Sequence, residues 1–169
     1  DHRDLHYPLR RQRQMCIRDR CLNKTSEVIK KCFEELILHK IDLSGIILKP
    51  NMILAGSDSK NKISNEEVSN KTLECLKNSV PNEVPGIAFL SGGQSDEDAT
   101  AHLNAMNQLL GDSSPWNLTF SYGRALQAPA LKAWAGKDEN ISDAQAAFYK
   151  RARLNSLATK GNYSEDMES

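Results

Sequence analysis

The chain has 169 residues and a mass of 18.9 kDa, with 22 basic and 22 acidic side chains, a formal charge of zero and a pI near 7.1. That length is one domain or a piece of one, and the balanced charge disfavours a nucleic-acid or membrane-surface module. Hydrophobic residues at 39% suffice for a core, but no apolar run approaches the ~20 residues that span a bilayer, and a closed (β/α)8 barrel needs about 200 or more.

Residues 1–20 differ from the rest. Six arginines (Arg3, Arg10, Arg11, Arg13, Arg18 and Arg20) face only Asp1, Asp4 and Asp19. The stretch has no clear period, and it is expected to be a basic leader, disordered or foreign to the fold. Its alternative is a basic arm for nucleic acid or membrane. It lacks the apolar segment of a secretory signal. Cys16, Cys21, Cys32 and Cys75 form no CxxC pair, and His2, His6, His39 and His102 are scattered, so no metal site is expected. A reducing, intracellular compartment is the corresponding expectation, the cytoplasm first and an organelle as the alternative.

From Cys21 onward the pattern is regular. Val28, Ile29, Cys32, Phe33, Leu36 and Ile37 recur at helical spacing, predicting an amphipathic helix over 25–40. Residues 43–48 read as a buried strand, ended by Lys49-Pro50 because proline cannot continue the ladder. After a loop containing Gly56, Ser64-Asn65-Glu66-Glu67 has capping-box spacing and opens a helix through Val68, Thr72, Cys75 and Leu76. Residues 86–90 predict a second strand, ending at Ser91-Gly92-Gly93. Ser95 with Asp98 starts a helix whose apolar stripe is Leu103, Met106 and Leu110. Residues 116–122 predict a third strand, running through Gly123-Arg124 into a short helix that stops at Gly136. Ser142 with Gln145 caps a final helix to about Leu157, and the polar stretch after Gly161 is expected to be mobile.

Strands alternating with helices predict an α/β fold with parallel strands. In such folds chemistry collects at the carboxyl ends of the strands, which selects Lys49, Ser91-Gly92-Gly93 and the stretch from Ser121 to Arg124. A lysine losing solvation at a strand end becomes a carbonyl nucleophile, whereas one reaching out into water is ordinary. Paired glycines ahead of a helix let backbone N–H groups approach an anion, or simply turn the chain. Arg124 offers a fork for a phosphate or a structural ion pair. Trp116, Phe120 and Trp134 are expected in the core.

Three separated stretches then become recognisable: Leu48-Lys49-Pro50-Asn51-Met52, Phe89-Leu90-Ser91-Gly92-Gly93-Gln94-Ser95, and Leu118-Thr119-Phe120-Ser121-Tyr122-Gly123-Arg124-Ala125-Leu126-Gln127. Together with Leu131-Lys132-Ala133-Trp134 and residues 151–158, and in this order, they resemble class I fructose-1,6-bisphosphate aldolase over residues 21–163. Residues 164–169 form a polar tail.

The resemblance implies a partial TIM (β/α)8 barrel covering its last three strands and their helices, a C-terminal fragment of the family's fold. It implies a lyase of glycolysis and gluconeogenesis that cleaves fructose 1,6-bisphosphate reversibly to dihydroxyacetone phosphate and glyceraldehyde 3-phosphate, without metal or other cofactor. Lys49 matches the Schiff-base lysine. Ser91, Gly92 and Gly93 match the loop holding the phosphate of the dihydroxyacetone half, and Ser121, Gly123 and Arg124 match the rest of that site. The family's acid/base glutamate lies on an earlier strand, so this stretch alone is expected to be inactive. The implied partners are a sugar phosphate and, at full length, other copies in a homotetramer, with no nucleic acid and no membrane. The alternative is a catalytically dead half-barrel that binds a phosphate ligand or a protein.

Overall fold

A computed structural model describes residues 6–55 and 63–169, with side chains described from Arg20 onward except for Asp112. The loop placed around Gly56 lies outside the described residues. The chain divides into two compact units, one comprising residues up to Ile41 together with 53–81, the other 42–52 with 82–169.

The first unit pairs α1 (His6–Leu38) with α2 (Asn65–Ser79). Helix α1 is longer than the periodicity predicts, because it continues back through the arginine-rich segment to His6. Its buried stripe is narrower: Leu22, Ile29 and Phe33 are buried and Leu36 half-buried, while Val28, Cys32 and Ile37 face solvent. Spacings of seven and four residues keep one face turned inward. Helix α2 starts as predicted, with the Ser64 hydroxyl accepting from the Glu67 N–H at 3.1 Å. Val68, Thr72, Cys75 and Leu76 line its buried face. Ser26 of α1 donates to the Cys75 sulfur at 3.2 Å, and the Thr72 hydroxyl accepts the Ile53 N–H at 2.9 Å.

The second unit holds the sheet. Strands β1 (Ile47–Leu48), β2 (Gly86–Phe89) and β3 (Asn117–Phe120) are parallel, in the order β1-β2-β3. Register sets Leu48 opposite Ile87, and Ile87 opposite Leu118. β1 is shorter than the predicted strand, because Leu43–Gly45 forms a 3-10 turn capped by the Asp42 carboxylate on the Ser44 N–H.

Strand alternation separates two faces. On one lie Ile87 and Phe89, both fully buried, and Leu118 at 4% exposure. The other carries Ile47, Lys49, Gly86, Ala88, Asn117 and Thr119; Ile47 is 67% exposed there. The predicted buried strand is therefore covered on one side only.

Helix α3 (Asp96–Leu110) follows β2 and packs on β3; its capping hydroxyl, Ser95, accepts the Asp98 N–H at 3.0 Å. Its stripe Ala99, Leu103, Met106 and Leu110 is buried as the spacing predicts. Helices α4 (Arg124–Trp134) and α5 (Ile141–Ala158) pack on one another, and α5 also packs on α3. Ala135 and Gly136, both with positive φ, end α4 where Gly136 predicts it. Two expectations need correction here. Ser142 is not the cap of α5, which starts at Ile141 after Asn140 with no side-chain cap. Trp134 is 40% exposed rather than core, while Trp116 is buried and Phe120 half-buried.

The polar tail is tied down. Glu168 receives Arg151 Nη1 on both carboxylate oxygens at 2.6 Å, and the Tyr163 hydroxyl donates to it at 3.0 Å. Arg151 itself is 3% exposed and also donates to the Asp96 carbonyl at 2.9 Å and to Thr100.

Candidate functional site

The three segments singled out by sequence leave the same end of the sheet. Backbone hydrogen bonds continue past the strands, from the Leu90 N–H to the Pro50 carbonyl (3.1 Å) and from the Ser121 N–H to the Phe89 carbonyl (2.8 Å). Lys49, Ser91 and Ser121 therefore emerge from adjacent, hydrogen-bonded chains.

Lys49 directly follows Leu48 and lies on the open face of the sheet. It is exposed, not enclosed by apolar groups.

Ser91 to Gln94 form a tight turn, closed by the Gln94 N–H on the Ser91 carbonyl at 3.1 Å. Gly92 has φ +61° and Gly93 φ +85°, so both central residues lie where a type I′ turn needs them and where a side chain is strained. Ser91 is 6% exposed, while the two glycines are open to solvent. The turn can thus offer backbone N–H groups from an exposed tip on a buried anchor.

The two helix starts beside these loops differ in charge and capping. The first turn of α3 contains Asp96, Glu97 and Asp98, and its cap is filled by Ser95. Its own carboxylates complement the helix dipole and repel a second anion. Helix α4 has no acidic residue in its first turn and no side-chain cap on Gly123. Arg124 is its first residue and exposed, next to exposed Ser121 and Gly123. The free N–H groups of a helix start together with a guanidinium favour an anion there. Tyr122 anchors this corner by donating from its buried hydroxyl to the Ala99 carbonyl at 2.8 Å, and its burial pushes the phenol's pKa up.

Sequence reasoning missed Gln94 and His102. Gln94 Nε2 donates to the Ser91 carbonyl at 2.8 Å, and its Oε1 lies 2.5 Å from His102 Nδ1. His102 is 6% exposed; burial lowers its pKa from 6.5, opposed in part by Asp98. The spacing of eight residues across a helix start held no recognisable signal. Cys75 is a packing group, its thiol pKa pushed up by burial.

A cavity of about 510 Å³ opens beside β3, lined by Asn107, Ser114, Trp116, Asn117, Thr119 and Thr159 among others. It includes Asn117, the first residue of the strand, and so lies toward the end opposite Ser121 and Arg124. Among the described residues no group of three or more His, Cys, Asp or Glu side chains could hold a metal ion, and no helix is long and apolar enough to cross a membrane.

Known proteins provide a further comparison. Cytosolic fructose-bisphosphate aldolase 4 of Arabidopsis thaliana is 50% identical over 150 residues, covering 89% of this chain and 38% of that protein. Fructose-bisphosphate aldolase B of Sparus aurata is 49% identical over 144 residues, covering 85% and 39%. A ternary co-crystal structure of fructose-bisphosphate aldolase from Plasmodium falciparum, in complex with TRAP and a small-molecule inhibitor, superposes with a TM-score of 0.83 at 44% identity. That match covers 87% of this chain and 42% of the other, so the chain spans about two fifths of the relatives' length. The family model for class I fructose-bisphosphate aldolase matches residues 17–169, and the chain belongs to that family.

Proposed function

We propose that this chain is the imine-forming and phosphate-gripping part of a class I aldolase barrel. It would take part in the reversible cleavage of fructose 1,6-bisphosphate to dihydroxyacetone phosphate and glyceraldehyde 3-phosphate. One observation carries the reading: in a chain of this family, Lys49, the Ser91 turn and the Arg124 helix start follow three adjacent parallel strands at one end. A partial barrel of the last three strands is supported by the parallel order and by one face being buried while the other is open. The start of the family match at residue 17 supports reading most of residues 1–20 as a leader.

In this reading the Lys49 amine adds to the substrate's carbonyl carbon, and the carbinolamine loses water to a protonated imine. That cation withdraws electrons from the adjacent carbon, so the bond from there to the hydroxyl-bearing carbon breaks to an enamine and an aldehyde as a base, the role the resemblance gives to a glutamate on an earlier strand, takes the hydroxyl proton. The Gly92 and Gly93 N–H groups, Ser91, Ser121 and the Gly123-Arg124 helix start would hold the phosphate of the dihydroxyacetone half. No cofactor is called for. The open sheet edges favour association with further copies, in keeping with the tetramer implied by the family, and the Arabidopsis relative's description favours the cytosol.

The exposure of Lys49 favours a second reading, a half-barrel that binds sugar phosphates or a protein without turning substrate over. Borohydride reduction with dihydroxyacetone phosphate separates the two. An adduct confined to Lys49, located by mass spectrometry, supports the enzyme reading. No adduct, or equal labelling of other exposed lysines, overturns it.

A further inference from the structure

We propose that Gln94, pinned by His102, is a positioning residue. Its side-chain amide holds the Ser91-Gly92-Gly93 turn in the shape that points its N–H groups at a phosphate. This rests on the reading of that turn as a phosphate site.

The Ser91 carbonyl accepts two hydrogen bonds from one residue, the Gln94 N–H at 3.1 Å and Gln94 Nε2 at 2.8 Å. The second closes a side-chain loop around a turn whose two central residues are glycines with positive φ. Glycine has the most conformational freedom to lose, so an unbraced turn would have to be ordered by the ligand at a cost in affinity. The bracing amide has two orientations, and the Ser91 carbonyl, which only accepts, selects the one that presents Nε2 to it. An amide oxygen only accepts, so the 2.5 Å contact makes His102 Nδ1 the donor to Oε1. Flipping the amide would set acceptor against acceptor at Ser91 and would require His102 to change tautomer. His102 can hold this orientation because its ring is buried on α3, about two helical turns beyond Gln94. Gln94 Nε2 also lies 3.5 Å from the Met52 sulfur, which closes the remaining side. A neutral amide suits the task, since a glutamate of the same length would set a charge beside the anion and an acceptor against the Ser91 carbonyl.

The test follows the amide resonances of Gly92 and Gly93 in the 169-residue chain during titration with inorganic phosphate. Gln94→Met keeps the side chain's length and removes the donor. His102→Leu removes the pin, while His102→Asn keeps a donor, its Nδ2 standing where Nδ1 stood. Gln94→Met and His102→Leu should weaken phosphate binding about three- to tenfold, the scale of one neutral hydrogen bond, and His102→Asn should restore it to within about twofold. Wild-type affinity in Gln94→Met, or His102→Asn binding as weakly as His102→Leu, overturns the positioning role. Should His102→Leu fail to fold, Gln94→Met decides alone, because it alters a half-exposed side chain. If phosphate leaves the wild-type Gly92 and Gly93 resonances unmoved, the phosphate reading of the turn falls first and this inference with it.

Discussion

Replacing Arg151 by methionine tests what holds the second unit together. The Arg151 side chain is 4% exposed and meets Glu168 through two oxygens at 2.6 Å, with the Glu168 side chain only 16% exposed. Its other nitrogens reach the Asp96 carbonyl at 2.9 Å, the Thr100 hydroxyl, and Asp96 Oδ2 at 3.6 Å. One side chain of α5 thus ties the first turn of α3 to the end of the chain. Methionine fills most of the volume but leaves the Glu168 carboxylate in a largely dry site without its partner. Losing one member of a buried pair costs about 3–5 kcal/mol, a large share of the roughly 5–15 kcal/mol of a typical domain. At about 2–4 °C per kcal/mol for this chain length, the melting midpoint should fall about 6–20 °C. Glu168→Gln keeps the shape and one acceptor and should cost about 1.5–3 kcal/mol. The double variant should cost less than the sum, since it removes both buried charges. Urea unfolding of the four proteins, repeated at high salt, measures each quantity. Salt should leave the difference nearly intact, unlike an exposed pair such as Lys31–Glu34. A loss below about 1 kcal/mol for Arg151→Met, or one erased by salt, would show that the tail contact is a surface pair worth little.

Other outcomes follow from the same physics. His102 binds a proton less readily folded than unfolded, so its contribution to stability is complete above pH 6.5 and is lost as pH falls through the folded pKa; melting midpoints from pH 8 to 5 should decline less in His102→Asn, and an equal decline in both refutes the assignment. Gly93→Ala forces a side chain onto φ +85° in otherwise open space, so it should cost about 1–2 kcal/mol in urea unfolding through strain alone; no change would mean the turn adopts another shape in solution. Fructose 1,6-bisphosphate turnover by this chain should be about 10²–10⁴-fold below that of a full-length relative in a coupled assay, the value of the general acid–base help that the family resemblance assigns to an earlier strand; near-ordinary turnover abolished by Lys49→Met would contradict this.

Local chemistry was legible where a few neighbouring residues decide the outcome. Ser64 and Ser95 cap their helices as spacing predicts, because a cap needs only one hydroxyl and one N–H three residues on. The Ala135-Gly136 stop and the buried Leu103, Met106 and Leu110 stripe were equally readable. The motifs around Lys49, Ser91 and Arg124 identified the family over most of the chain. Ser142 misled because a helix start also depends on where the preceding turn leaves the chain, here at Asn140.

Burial, charge environment and long-range partners were decided by the tertiary structure. Period alone cannot say how wide a helix face is covered, so Val28 and Ile37 read like Ile29 and Phe33 yet face water. The same limit hid the exposure of Trp134 and left that of Lys49 open between two readings: strand and helix patterns specify direction, whereas coverage depends on which element lies above. The contrast between the capped, acidic first turn of α3 and the uncapped Gly123 start of α4 needed the helix boundaries that folding sets. Arg151 with Glu168, 17 residues apart, and Gln94 with His102, eight apart, meet because packing brings them together. The sequence supplies those residues as donors and acceptors; the enclosure that makes their hydrogen bonds strong exists only once the chain has folded.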